Sequence, residues 1–242
     1  MKKLILSTVL FASISFSAQE IEKSNIIKSN VAGYSLRNFN LTYERVLSKK
    51  FSISTGFGII GSGKIPFASK LGLNDFDLSG AEIKGTNFTI EPRIYLGKGY
   101  GHGFYLAPYF RYSSFEVNDL IYNLKVESNG FATTVPMSFS GKINGSSGGL
   151  MVGSQWFFGF NNNLVIDAWF AGAHYGKGSG DVVGRTYVTL TPKMQQDLQN
   201  ELDQLDIPVI SFDAKVNANG ADAVLNGPWA GFRIGLSLGY RF

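Results

Sequence analysis

The sequence predicts an all-β fold, a transmembrane antiparallel up-and-down β-barrel of eight strands with one short extracellular loop helix. Three observations predict it: an N-terminal export signal, repeated segments in which apolar residues alternate with polar or small ones, and a C-terminal aromatic residue directly after such alternation. Successive side chains of a strand point to opposite faces, so each segment has one apolar face. A barrel with an apolar outside and a polar inside requires this pattern.

The first 18 residues are typical of a secretory signal peptide. A basic start at Lys2 and Lys3 precedes an apolar run too short to cross a bilayer, and Ser15 and Ser17 suit a cleavage site. We expect residues 1–18 to be removed and residues 19–242 to form one outer-membrane domain. The sequence has no cysteine, which excludes disulfides, thiolate metal sites and a cysteine-linked lipid anchor.

The charge balance and the spacing of polar residues exclude several function classes. Lys and Arg total 22 and Asp and Glu total 18, a surplus too small to favour a nucleic-acid partner. The glycines at 97, 99 and 101 lack the spacing of a nucleotide-binding loop, and no calcium or zinc motif is present. We therefore expect no cofactor and no metal.

The last segment shows the alternation most clearly. Its apolar positions are Phe232, Ile234, Leu236, Leu238, Tyr240 and Phe242, and the intervening positions are Arg233, Gly235, Ser237, Gly239 and Arg241. The same pattern recurs in residues 39–46, 51–59, 88–96, 104–112, 150–158 and 164–170. Each segment approaches the roughly 9–11 residues that a tilted membrane strand requires.

The connections determine the strand count. Short turns are expected at residues 48–50, 97–102 and 159–163, and long loops at 61–84, 117–146 and 176–228. Outer-membrane barrels have short periplasmic turns and long outer loops, so an upward first strand at 26–35 and a turn at 36–38 complete eight strands. Ten or twelve strands remain open, because a hairpin at Asn129-Gly130 and segments 181–190 and 207–216 could add pairs. The preferred interpretation is that these segments are strands that extend above the membrane into the loops. Between those two segments, Thr191 and Pro192 start a helix to Leu205.

Two stretches carry a resemblance to a known family. They are Tyr43-Glu44-Arg45 with the following residues 50–53, and Glu91-Pro92-Arg93-Ile94 with residues 95–98 and 103–106. The chain resembles small, functionally uncharacterised Gram-negative outer-membrane barrels of OmpA/OmpW-like, eight-stranded architecture. The resemblance implies an outer-membrane location. It also implies that the assembly machinery recognises the last strand through Tyr240 and Phe242. The long segment 181–226 departs from the compact family pattern.

Alternation also predicts which charged residues face the lumen: Glu44, Glu91, Arg93, Arg111, Asp167, Arg233 and Arg241. A barrel of eight strands is filled by its own side chains, and unpaired charges inside would be costly. We therefore expect the three carboxylates to pair with the arginines and plug the lumen. An ion pathway or gate is the alternative. Aromatic residues near the strand ends, among them Trp156, Phe170 and Trp229, are expected to form interfacial girdles.

Three functions of a membrane barrel remain open at this point; a soluble periplasmic or secreted β-barrel is a fourth interpretation, but it predicts a polar outer surface, which the alternation contradicts. The first is a plugged barrel with a structural, envelope or surface-binding role, surrounded by outer-membrane lipids and lipopolysaccharide and monomeric because a closed barrel leaves no free edges. The second is a porin-like transporter of small or hydrophobic solutes, with the loop helix as lid. The third is an outer-leaflet lipid-modifying enzyme, for which His174 is the candidate catalytic base and needs a serine and a carboxylate nearby.

Overall fold

The structure, a computed structural model, describes residues 23–64, 76–77, 80–128, 131–203 and 211–242. The expected signal peptide and the last residue of the expected helix, Leu205, lie outside these residues. The strands are β1 (Asn25–Asn30), β2 (Asn38–Val46), β3 (Phe51–Lys64), β4 (Phe76–Asp77), β5 (Glu82–Tyr95), β6 (Gly103–Ser128), β7 (Phe131–Phe158), β8 (Leu164–Thr186), β9 (Ser211–Asn217) and β10 (Gly220–Arg241).

Nine of these strands follow one another by antiparallel pairing in a single sheet, in the order β1, β2, β3, β5, β6, β7, β8, β10, β9. The sheet closes into a ring because β1 also pairs with β10, from Ile26 opposite Arg241 to Asn30 opposite Ser237. Within the described residues β9 pairs with β10 alone, so the ring itself contains eight strands. The predicted antiparallel all-β fold is confirmed.

The two ends of the described chain meet at one end of the ring, which we call the lower end. The backbone groups of Asn25 and Phe242 exchange two hydrogen bonds, of 2.9 and 2.8 Å. The three short turns expected from the sequence, around residues 48–50, 97–102 and 159–163, lie at this same end. The long connections therefore lie at the opposite, upper end.

The first strand is shorter than predicted. It was expected to run through residues 26–35, but β1 ends at Asn30 and Val31–Leu36 form a 3-10 helix. The side chain of Asn40 in β2 explains the break. Its Oδ1 atom accepts a hydrogen bond from the Asn30 amide at 2.7 Å, and its Nδ2 atom donates to the Asn30 carbonyl at 3.2 Å. A side chain thus replaces the backbone pairing that a longer β1 would make.

The connections expected as long loops at 117–146 and 176–228 are for the most part paired strands, which agrees with the expectation that the strands extend into the loops. The strands β6 and β7 have 26 and 28 residues and stay paired up to Ser128 opposite Phe131. The expected extra hairpin is therefore the upper part of β6 and β7. Likewise, β8 continues to Thr186 and β10 begins at Gly220. In the connection 61–84, β3 continues to Lys64 and β5 begins at Glu82.

The predicted helix is present as α1 (Pro192–Asp203), and the Thr191 hydroxyl accepts a hydrogen bond from the Met194 amide at 3.3 Å. The helix buries Leu198 and Leu202 in an apolar core at the upper end of the ring, which we call the upper core. The strand residues of this core include Met137 of β7. Met137 and Gln155 are separated by an even number of residues on this strand, which has no bulge between them, so both side chains point inward. The helix α1 therefore covers the inner face above the ring.

No helix among the described residues is long and apolar enough to span a membrane.

Candidate functional site

The lumen holds a polar network to which every strand of the ring contributes a side chain. We call it the lumen network; its members are Lys28 (β1), Glu44 (β2), Ser52 (β3), Glu91, Arg93 and Tyr95 (β5), Tyr105 (β6), Gln155 (β7), Asp167 (β8) and Arg233 (β10). Because side chains alternate along each strand, one inward position from each strand reaches the same level of the ring.

Lys28 is at the centre of this network. Its ammonium group donates three hydrogen bonds of 2.6 Å, to Glu44, to Asp167 and to the side-chain carbonyl of Gln155. The side chains of Lys28, Glu44 and Asp167 have no exposed surface. All three protons of a buried ammonium are thus satisfied, which a buried charge requires to be tolerated.

Arg93 supplies the second cation. One terminal nitrogen lies 2.8 Å from Asp167 Oδ2 and 3.3 Å from Glu44 Oε2, and the other lies 2.9 Å from Glu91. Its guanidinium also stacks over the ring of Tyr105, 4.3 Å from the ring centre. Glu91 binds Arg233 with its other oxygen at 2.9 Å. The ion pairs therefore continue upward from β5 to β10.

The carboxylates are saturated by neutral donors as well. Tyr95 and Ser52 each donate to Glu44 Oε1 at 2.6 Å, and Tyr105 donates to Asp167 Oδ1 at 2.7 Å. Each oxygen of these two buried carboxylates thus accepts at least one hydrogen bond. The network consequently ties the strands together across the lumen and fills it at this level.

The structure places the predicted lumen charges at three levels. It brings together Glu44, Glu91, Arg93, Asp167 and Arg233 in the lumen network. Arg111 lies higher, where its Nε donates to Ser113 at 3.1 Å, and it makes no ion pair within the described residues. Arg241 lies at the lower end, with its guanidinium 4.6 Å from the ring centre of Phe157.

Sequence reasoning missed half of the network, namely Lys28, Gln155, Ser52, Tyr95 and Tyr105. Four of them lie in strands that the alternation did identify, and the same alternation assigns their side chains to the inward face. Charge alone does not identify them, because Ser52, Tyr95, Tyr105 and Gln155 are neutral. Lys28 was missed because Ile26 and Ile27 precede it, and adjacent apolar residues do not reveal which face of β1 is inside.

The other predicted positions are also accounted for. The Tyr240 hydroxyl accepts a hydrogen bond from Asn163 at 2.9 Å, and Phe242 pairs with Asn25 at the lower end. Trp229, expected in an outer girdle, instead faces inward, with its ring 5.9 Å from that of Phe115. Trp229 and Arg233 are four residues apart on β10, so their side chains point to the same face of the strand. The register irregularity of β10 lies between Arg233 and Gly235 and therefore does not change the face that Trp229 occupies.

His174 also faces the lumen, above the network. Its strand neighbours are Gly149 and Gly231, and its ring lies 6.1 Å from that of Tyr109. The structure does not bring a serine or a carboxylate of the described residues into hydrogen-bond contact with it, and its Nδ1 atom is buried without a partner. Likewise, the described residues contain no group of three ligating side chains suited to a metal ion.

No known protein family, curated protein or solved structure matches the chain. The resemblance to small outer-membrane barrels therefore stays a prediction.

Proposed function

We propose that this chain is an integral outer-membrane β-barrel with a closed lumen, serving a structural or surface-binding role in the envelope. A single observation supports this proposal: the outer surface of every ring strand exposes large apolar side chains, while the inner surface carries the polar and charged ones. We call these exposed residues the apolar belt.

The apolar belt runs around the whole ring. Phe232 is 90% exposed, Phe39 is 60% exposed, and Leu41 and Phe104 are each 57% exposed. The remaining ring strands contribute Ile27, Ile53, Phe57, Ile90, Ile94, Leu150, Trp156, Leu164 and Phe170. Exposed apolar patches on soluble monomers rarely exceed a few hundred Å², so a continuous belt favours an apolar surrounding.

The distribution of polarity is the reverse of that in a soluble ring. A soluble β-barrel buries apolar side chains in its centre, whereas here the centre buries Lys28, Glu44, Arg93 and Asp167. Membrane barrels have this inverted arrangement, with an apolar band outside and a polar interior. In this orientation the lower end faces the periplasm, and α1 and the long strand extensions face outward.

The saturated lumen network favours a closed barrel over a pore. Its central side chains have no exposed surface, and α1 covers the inner face above. Outer-membrane lipids and lipopolysaccharide would surround the belt, and the assembly machinery would bind the last strand at Tyr240 and Phe242. Because β1 pairs with β10, the ring closes on itself without a second copy, so we expect a monomer.

Two matched arginine substitutions test the membrane location. Leu41→Arg places a charge in the belt, and Val188→Arg places one on an exposed residue of the segment before α1. In lipid vesicles we expect Leu41→Arg to lower the free energy of unfolding by about 2–4 kcal/mol, and Val188→Arg to change it by less than about 0.5 kcal/mol. Equal small effects, or release of the wild-type chain from membranes by alkaline carbonate, would overturn the proposal.

A further inference from the structure

We propose that the cavity above the lumen network binds the anionic head group of a single-chain amphiphile, which enters sideways between the 3-10 helix and β10. We call this cavity the upper pocket. It has a volume of about 460 Å³, which is within the range of small-molecule sites. This inference rests on the function proposed above only in one respect, namely that the amphiphile comes from the surrounding membrane.

The upper pocket has an excess of positive charge. Arg111 and Arg233 both line it, together with Glu91. Glu91 is already bound by Arg93 and Arg233, and Arg111 has no ion-pair partner within the described residues. Leaving aside Arg241 at the lower end, the lumen charges already described comprise four cations, namely Lys28, Arg93, Arg111 and Arg233, and three carboxylates. An anion in the upper pocket would balance them.

Two residues that line this space also carry neutral donors without protein partners. Asn87, which is only 7% exposed, lines the pocket, and its Nδ2 atom is buried with no hydrogen-bond acceptor. The indole Nε1 of Trp169, which also lines the pocket, is likewise buried without a partner. A buried polar group left unpaired is costly. These unpaired donors belong to the same lining as Arg111, the group that would pair with an oxyanion.

The pocket opens to the side because the ring is incompletely paired there. The pairing of β10 with β1 ends at Ser237, and its pairing with β9 ends at Asn226. Along Gly227–Leu236, β10 therefore has a strand neighbour on one side only within the described residues, and the 3-10 helix stands on the other side. The break that Asn40 creates in β1 is the cause of this gap.

The rim of the gap is apolar. Phe232 and Ile234, which are 90% and 77% exposed, line the pocket together with Ala32 and Leu36 of the 3-10 helix. A ligand that fits this site has its charge at Arg111 and its apolar part between these residues. A free inorganic anion would leave the rim unused, and a neutral hydrocarbon would leave Arg111 unpaired. A phosphate or a carboxylate on one alkyl chain satisfies both parts.

The experiment is a calorimetric titration of the folded protein in dodecyl maltoside micelles, so that a neutral chain is present throughout. The probes are dodecyl phosphate, dodecanoate and inorganic phosphate. Three variants accompany the wild type. Arg111→Gln removes the unpaired cation, and Thr42→Phe fills the pocket. The matched control Arg185→Gln removes an exposed arginine whose partner, Asp222, lies outside the pocket.

We expect saturable binding of dodecyl phosphate, dodecanoate or both, weakened at least about tenfold in Arg111→Gln, abolished in Thr42→Phe and unchanged in Arg185→Gln. Heat-modifiable migration of each variant in gels establishes that it is folded. The proposal is overturned if neither amphiphile saturates, if Arg111→Gln binds like the wild type, or if inorganic phosphate binds as tightly as dodecyl phosphate. Because binding is measured in micelles, its failure is distinct from failure of the membrane proposal, which the arginine substitutions in the belt test separately.

Discussion

The Nζ atom of Lys28 lies 2.6 Å from Oδ2 of Asp167, although 139 residues separate them in the chain. Neither side chain has exposed surface, and the pair joins β1 to β8 across the lumen. Glu44, at the same distance from Lys28, joins β2 to the same cation. One ammonium group therefore compensates two carboxylates that come from opposite halves of the sequence.

Removal of this cation should destabilise the protein strongly. Lys28→Met leaves Glu44 and Asp167 with Arg93 as their remaining cation, and an uncompensated buried charge costs about 3–5 kcal/mol. The measurement is urea unfolding in vesicles, followed by tryptophan fluorescence. Lys84→Met is the control, because Lys84 pairs with Glu116 on an exposed surface, and we expect a loss below about 1 kcal/mol. Equal losses would mean that the lumen network does not stabilise the ring.

The network should also block conductance. We expect silent single-channel recordings from the wild type, because the largest buried side chain of the lumen, Arg93, closes this level. Replacing Arg93 and Glu44 together by serine removes one charge of each sign and should produce discrete conductance steps. The control replaces the exposed pair Arg185 and Asp222 by serine and should remain silent. Steady conductance of the wild-type chain would show that the lumen is open.

Helix α1 should unfold separately from the ring. Leu198 is 1% exposed in the upper core, so Leu198→Asp buries a carboxylate among apolar side chains and should release the helix. We expect faster proteolysis within residues 187–219, whereas heat-modifiable migration of the ring is retained. The exposed neighbour Gln196→Asp serves as control and should be cleaved at the wild-type rate. Loss of the folded ring in Leu198→Asp would contradict this separation.

His102, in the turn between β5 and β6, should make stability depend on pH. Partial burial, and then the positive charges of Lys98 and Arg241, lower the pKa of His102. The unfolded chain therefore binds the proton more readily. The stabilising contribution is full above the ordinary histidine pKa and is lost as the pH falls through it toward the lowered value. We expect His102→Gln to reduce the difference between unfolding midpoints measured at pH 8 and pH 5, and an unchanged difference would contradict this assignment.

The sequence alone predicts those strands whose two faces have different surroundings, apolar on one side and polar on the other. Along residues 39–46 and 232–242 one face is apolar and the other polar, so period-two alternation is visible and even assigns Glu44 and Arg233 to the lumen. In the upper parts of β7 and β8, Gly, Ser, Asn and Lys residues such as those at 140–149 and 176–180 show no apolar face. Alternation disappears there, so the sequence does not distinguish these paired strands from loops.

Two features of the site depend on contacts that no local pattern reveals. The end of β1 at Asn30 depends on the Asn40 side chain, which is ten residues away in another strand. The partners of Lys28 depend on the register between β1, β2 and the distant strand β8. Such long-range pairings follow from closure of the ring, which residue periodicity does not specify.

The hydrogen bonds between Asn25 and Phe242 have a kinetic consequence. The pairing that completes the ring joins the beginning of the described chain to its end, so the loop it closes spans almost the entire polypeptide. Contacts of such separation form slowly, because the chain entropy of the whole loop must be lost first. Until the last strand pairs, β1 and β8 each have an unpaired edge, and Lys28 lacks its ion pair with Asp167. Assembly of this protein therefore ends, rather than begins, with its most deeply buried charges.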